Sequence, residues 1–190
     1  MDEPNSETER VADAIESVGV DRLADAVLDA WEAAGLETGT PDWPDDEPRF
    51  RVRPPASDGG ARLDAVAAAL DATPRSPDTA FLYLAVGRRS DLGRDRAALE
   101  DLARHPDVTV DDDHTAGTVP MDGETVAALV DLVDAVEYAL VRDGDGTAVV
   151  EWRDETVRVA LPAAAADAMR AELPDALAAR VEREDQSSVQ

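Results

Sequence analysis

The densest group of side chains that could bind an anion lies between residues 87 and 96, in the segment GRRSDLGRDR. Guanidinium groups are forked donors that match phosphate and carboxylate oxygens, and the free amides at a helix N-terminus share that preference. The spacing matches neither a phosphate-binding P-loop nor a dinucleotide fingerprint. The alternative is that these Arg pair with neighbouring acids and that Ser90 caps a helix. We predict an anion-binding region formed by Arg88, Arg89, Ser90, Arg94 and Arg96.

A second basic group consists of Arg49, Arg51 and Arg53, which alternate with Phe50 and Val52. In a strand this alternation places all three cations on one face. Such a stripe is suited to nucleic-acid phosphates, but binding of that kind weakens steeply with salt and few aromatic residues lie nearby to stack on bases. An edge strand that is protected by charge is the more ordinary interpretation.

A third candidate is the run that follows Val110, where Asp111, Asp113 and His114 offer two carboxylates and an imidazole. These groups are ligands for divalent cations, and a metal held there would suit a hydrolase or nuclease. No second ligand cluster with a defined spacing supports the site. The sequence therefore raises a metal centre only as an alternative.

Other catalytic signatures are missing from the sequence. The chain contains no Cys, which excludes disulfides, thiolate nucleophiles and Cys-ligated metals. No Ser lies in a Gly-x-Ser-x-Gly elbow, and the segment Asp143 to Thr147 starts like a calcium loop but lacks the required Gly at the sixth position. We therefore expect no cofactor and favour a protein without catalytic activity.

The elements that would position these residues follow from hydrophobic spacing. Apolar residues at helical intervals predict two helices within residues 6–35 and further helices near 63–70 and 91–104. Asp122 is predicted to cap a helix whose apolar stripe comprises Val126, Leu129, Val130 and Val133. A last helix is predicted from Pro162, interrupted at Pro174 and continued by Leu177 and Val181.

Strands are predicted where the period is two or where an apolar run is continuous. These segments are 49–53, the buried run 79–86, 108–110 and a three-stranded antiparallel meander within 137–161. The strand–helix order of the first half favours parallel strands with right-handed crossovers. We predict an α/β (or α+β) fold: a mixed sheet with a parallel βαβαβ part, a C-terminal antiparallel meander and an N-terminal helical arm. The expected domains are an arm and acidic linker (1–47), one α/β domain (48–184) and a frayed tail (185–190).

The charge of the chain is extreme, with 43 acids against 18 cations and a formal net charge of −25. Such self-repulsion is tolerated when molar salt reduces the screening length to about 3 Å. Abundant Asp, the absence of Lys and a core rich in Ala and Val are typical of halophilic proteins. The acidic N-terminus lacks a signal peptide, and no apolar run reaches the roughly 20 residues that span a bilayer. We therefore expect a cytoplasmic protein with no membrane contact.

Together these observations favour a small halophilic cytoplasmic protein that binds or regulates without catalysis. Its partner would be an anionic small molecule or a protein, and nucleic acid is weakly supported. One alternative is a metal-assisted hydrolase or nuclease that uses Asp111, Asp113 and His114. The other is a protein–protein interaction module, in which the amphipathic arm of residues 6–35 contacts a partner or a second copy of the chain as a homodimer.

Overall fold

The computed structural model describes residues 41–55, 58–85, 95–110, 114–153 and 155–184. All of them belong to the second of the two units into which the chain divides, Met1–Thr40 and Pro41–Gln190. The helices predicted within residues 6–35 and the tail of residues 185–190 lie outside the described residues. The predicted domain boundary near residue 47 stays a prediction.

Eight strands form one sheet in the described part of the chain, in the spatial order β3-β4-β2-β5-β6-β7-β1-β8. Every neighbouring pair is antiparallel. The strands are β1 (Arg49–Val52), β2 (Pro77–Ala85), β3 (Val108–Val110), β4 (His114–Pro120), β5 (Val136–Asp143), β6 (Ala148–Arg153), β7 (Thr156–Ala160) and β8 (Val181–Arg183).

Five helices are described between or after these strands. They are α1 (Gly59–Ala72), α2 (Asp95–Leu102), α3 (Gly123–Asp131), α4 (Ala163–Glu172) and α5 (Asp175–Ala178). Both α1 and α3 begin at an Asp cap, because Asp58 Oδ1 accepts a hydrogen bond from Ala61 N at 3.0 Å and Asp122 Oδ1 accepts one from Thr125 N at 2.9 Å. The bond from the Thr125 amide is the main cause that lowers the pKa of Asp122. No described helix is both long and apolar enough to cross a membrane.

The predicted parallel βαβαβ part was wrong, because the sheet is antiparallel throughout. Strands β1, β2 and β3 do run in the same direction, because direction alternates from strand to strand across the sheet. None of the three is hydrogen-bonded to another, however. Strands β5, β6 and β7 are inserted between β1 and β2, and β4 is inserted between β2 and β3. An α+β arrangement describes the molecule, with the predicted antiparallel meander (β5–β6–β7) at the centre of the sheet rather than beside a parallel part.

Strand β4 was missed by sequence reasoning and is the reason that β2 and β3 do not pair. Its sequence HTAGTVP contains Gly and Pro and has no strong apolar alternation. Gly117 pairs with Leu82 of β2 and Val108 of β3, and a Cβ on Gly117 would lie 2.2 Å from the carbonyl oxygen of Asp107. The close approach of β3 therefore requires the glycine that made this segment look unlike a strand.

The C-terminal end also differs from the prediction. A helix does continue after Pro174 as α5, but Val181 lies in β8 rather than in a helical stripe. Strand β8 pairs antiparallel with β1, so β1 is not an edge strand as its Arg alternation suggested. The prediction failed because three residues give too short a pattern to separate a strand from a helical turn.

Alternation along the strands divides the sheet into two faces. One face carries Phe50, Val52, Val157, Val159 and Leu82, which belong to the main hydrophobic core together with buried residues of α1, α2, α3 and α4. The opposite face carries the residues between them in sequence, including Arg51, Arg158, Glu151 and Tyr138. The helical face and the opposite face thus present different chemistry.

Candidate functional site

Most of the predicted anion-binding region lies outside the residues that the structure describes. Arg88, Arg89, Ser90 and Arg94 lie outside the described residues, and Arg96 is in α2. Arg96 is exposed, and its Nε lies 3.0 Å from Glu100 Oε1, one helical turn away. Arg96 therefore pairs with a neighbouring acid, which was the alternative to anion binding. Anion binding by Arg88, Arg89, Ser90 and Arg94 stays a prediction.

The predicted basic strand face is present, but acids on the neighbouring strands pair with it. Residues Glu151, Arg158, Arg51 and Glu182 stand in one row across β6, β7, β1 and β8, and we call this row the charge ladder. Arg51 and Arg158 are directly opposite each other, which would be unfavourable for two like charges alone. The acid at each end of the row offsets that repulsion.

Distances within the charge ladder are those of charge-assisted hydrogen bonds. Arg51 Nη2 lies 2.7 Å from Glu182 Oε2, and Arg158 Nη1 lies 3.0 Å from Glu151 Oε2. Glu184 extends the row, since its Oε1 is 3.1 Å from Arg158 Nε. Burial by itself would lower the pKa of Arg158, yet Glu151 and Glu184 raise the pKa above its usual value.

The remaining members of the basic face are Arg53 and Arg49. Arg53 Nη1 lies 3.8 Å from Glu182 Oε2, and Arg49 is half-buried opposite Ala160 of β7. Because Arg51, Arg53 and Arg158 each contact a carboxylate, a phosphate that bound to them would have to displace that partner. Nucleic-acid binding by this face stays a prediction.

The predicted metal ligands are only partly described. Asp111 and Asp113 lie outside the described residues, while His114 begins β4 and pairs in register with Ala85. Among the described residues, no three His, Cys, Asp or Glu side chains are placed to hold a metal ion. Strand β3 pairs antiparallel with β4, so it is not the parallel strand that the predicted topology implied.

A polar cluster at the β5–β6 turn has a structural role. Arg75 Nη1 lies 3.0 Å from Asp143 Oδ2 and Arg75 Nη2 lies 3.4 Å from Glu47 Oε1. Asp143 Oδ1 also accepts the amides of Asp145 and Thr147. Burial alone would raise the pKa of Asp143, but these hydrogen bonds outweigh it and hold the pKa below its usual value. These contacts fix the turn between β5 and β6.

The feature that no motif indicated is an apolar cleft between α1 and α3. Its floor is the helical face of the central strands, and its walls are the facing sides of the two helices. The described residues that line it are Leu63, Val66, Ala67 and Leu70 of α1, Met121, Val126, Leu129 and Val130 in and before α3, and Ala80, Ala139, Val141, Val150 and Trp152 of the floor. None of them is charged or nucleophilic.

One end of the cleft is closed where the N-terminus of α1 meets the C-terminal end of α3. A Cβ on Gly59 would lie 2.7 Å from Asp134 Oδ1, so the two chain segments approach closely there. Arg62 Nη2 donates to Asp134 Oδ1 at 2.6 Å, and the Arg62 guanidinium carbon lies 5.8 Å from the centre of the Trp152 ring. This ion pair and cation–π contact hold Trp152 in the floor.

The mouth of the cleft is marked by two valines that the helical stripe had predicted to face the core. Val126 and Val130 remain 44% and 47% exposed, and are the exposed large hydrophobic residues of the described chain. The enclosed volume is about 140 Å³. An apolar cavity of about 150 Å³ in another protein stays dry and binds benzene, so this volume suits a ligand of that size.

Sequence reasoning could have detected only part of this site. Val126 and Val130 are four residues apart, and together with Leu129 and Val133 they form an ordinary amphipathic stripe, which indicates the helix but not the cleft. Relative to Val130, the facing wall and floor come from residues between 9 (Ala139) and 67 (Leu63) positions away, and no local pattern brings them together. Comparison with family models, with curated proteins and with solved structures returned no match.

Proposed function

We propose that this protein is a non-catalytic binding protein and that its ligand is a small apolar molecule held in the cleft between α1 and α3. The observation that carries the proposal is a cleft of about 140 Å³ whose described lining is apolar throughout. Exposed Val126 and Val130 at its mouth leave apolar surface in water, which a ligand would cover.

The chemistry of the lining supports binding rather than catalysis. A general acid, base or nucleophile must lie within hydrogen-bond reach of the reacting atom. The described lining offers aliphatic side chains, one thioether at Met121 and the Trp152 ring. Burial of apolar surface, at roughly 25 cal/mol per Å², is therefore the main source of affinity that these residues provide.

The direct test is titration with toluene, a neutral probe close in size to the cleft. Calorimetry on the full chain, in salt at which circular dichroism reports a folded protein, should give binding at one site. The variant Ala67→Phe places a ring at the mouth and should abolish that binding. Ala67 is exposed on α1 and lines the cleft, so the substitution fills the cleft without removing a core residue.

The matched control is Ala97→Phe, the same substitution at an exposed position of α2 outside the described lining. It should leave toluene affinity unchanged. Equal loss of binding in both variants, or no heat of binding to the unmodified chain at saturating toluene, would contradict the proposal.

The setting that we propose for this function is a salt-rich cytoplasm. The support is compositional, namely a net charge of −25 with no Lys in the chain. High salt strengthens the effective burial of apolar surface when the salt is excluded from the protein. A ligand site that relies mainly on apolar contact is compatible with that environment.

A further inference from the structure

Acidic residues lie on the two segments that form the walls of the apolar cleft, and their negative charge favours a ligand that carries a positive charge. Between residues 59 and 72 and between 121 and 134, the chain contains six acids and one Arg. That Arg is Arg62, which already donates to Asp134 at the closed end. The two segments that enclose the cleft are therefore strongly negative around an apolar interior.

Helical spacing places several of these acids beside the mouth. On α1, Asp64 and Asp71 are three and four residues from Ala67, so they share the side of the helix on which Ala67 lines the cleft. All three residues are exposed. The α1 wall therefore has a carboxylate on each side of the residue at its rim.

The opposite wall has one acid at a matching place. Asp122, the exposed N-cap of α3, precedes the exposed Val126 and Val130 at intervals of four residues. The hydrogen bond from the Thr125 amide lowers the pKa of Asp122 and so favours its charged form. Both walls thus combine apolar residues inside with carboxylates outside.

We infer that the ligand of the cleft has an apolar body and a cationic head, the chemical class of an aralkyl or alkyl ammonium ion. This inference rests on the proposed function and adds the sign of the ligand's charge. The body fills the apolar interior and the ammonium lies at the mouth, near Asp64, Asp71 and Asp122. An anionic molecule with the same body meets like charge at the same position and binds more weakly.

Three probes with one body separate the two proposals: benzylamine, which is an ammonium at pH 7, benzyl alcohol, and phenylacetate. At the lowest salt at which circular dichroism reports a folded protein, the ammonium should bind about threefold to tenfold more tightly than the alcohol, and phenylacetate more weakly than either. At 2 M salt the three affinities should converge. Toluene and benzyl alcohol binding with no order among the charged probes would overturn the cationic head and leave the apolar site intact.

Substitutions at the rim test whether local acids or the net charge of the chain set this order. Asp64→Asn combined with Asp71→Asn should reduce benzylamine affinity about threefold and leave benzyl alcohol affinity unchanged. The control, Asp107→Asn with Glu172→Gln, removes the same charge from two exposed positions outside these walls. An equal loss in the control would overturn the role of the rim. Absence of binding by toluene and by all three probes would instead refute the proposed function.

Discussion

The two faces of this sheet differ in how fully their side chains are paired or packed against other residues of the chain. On the face opposite the core helices, the charge ladder pairs Arg158 with a nearly buried Glu151 and Arg51 with Glu182. On the helical face, the cleft between α1 and α3 leaves apolar surface at Val126 and Val130 without cover. Arg51 and Arg53 of the predicted basic strand face contact a carboxylate of the same sheet, while aliphatic residues line the open cleft. The candidate site is therefore identified by apolar surface that has no packing partner, and not by the presence of charged residues.

The largest effect that tests this comparison is loss of a cation from the charge ladder. Arg158→Ala removes the guanidinium that lies 3.0 Å from Glu151 Oε2, a carboxylate on a side chain only 7% exposed, and should cost about 3 kcal/mol of unfolding free energy. Arg104→Ala is the control, because Arg104 pairs with Asp101 at the surface and should cost less than about 1 kcal/mol. Urea denaturation at fixed salt measures both. Equal losses would mean that the ladder is an ordinary surface network.

A smaller effect of opposite sign is expected at the cleft. Ala67→Phe should stabilise the protein by about 1 kcal/mol relative to Ala97→Phe, because its ring covers apolar surface that Ala leaves open. Both variants share the lower helix propensity of Phe, so their difference reports the cleft alone. Identical denaturation midpoints would show that the cleft does not accept a side chain.

The smallest effect at neutral pH concerns Tyr138, which lies on the same face as the ladder. Burial, and then the negative charge of Glu151, raise the pKa of Tyr138 to about 12. Because this exceeds the usual value of about 10, the stability that Tyr138 contributes is complete below pH 10 and is lost as the pH rises towards 12. Absorbance at 295 nm should reveal the tyrosine hydroxyl that titrates at about pH 12.

The variants Tyr138→Phe and Tyr83→Phe separate the two tyrosines of the chain. Tyr138→Phe should remove the late titration and flatten the fall in stability between pH 10 and 12, without changing stability at pH 7 beyond the loss of one hydroxyl. Tyr83→Phe should retain the late step. Persistence of that step in Tyr138→Phe would place the perturbed hydroxyl elsewhere and weaken the contrast between the two faces.

Local patterns predicted several elements because their causes are local. The run before Val86 is buried on both faces as β2, with Ala80, Phe81, Leu82 and Leu84 all under 10% exposed. Asp122 caps α3, and the three-stranded meander follows the alternation within residues 137–161. Caps, turns and apolar periods act over a few residues, so one segment contains the information that fixes them.

Only the tertiary structure decided which strands pair with each other and which helices lie side by side. By itself the sequence determined a Cys-free chain with a strongly acidic charge and most of its strands and helices. It did not determine that β4 separates β2 from β3, that β8 covers β1, or that α1 and α3 enclose a cleft over the central strands. Pairing between distant segments depends on the packing of the whole sheet, which no short window contains. For that reason a local pattern predicts the basic strand face as a binding site, whereas no local pattern predicts the apolar cleft.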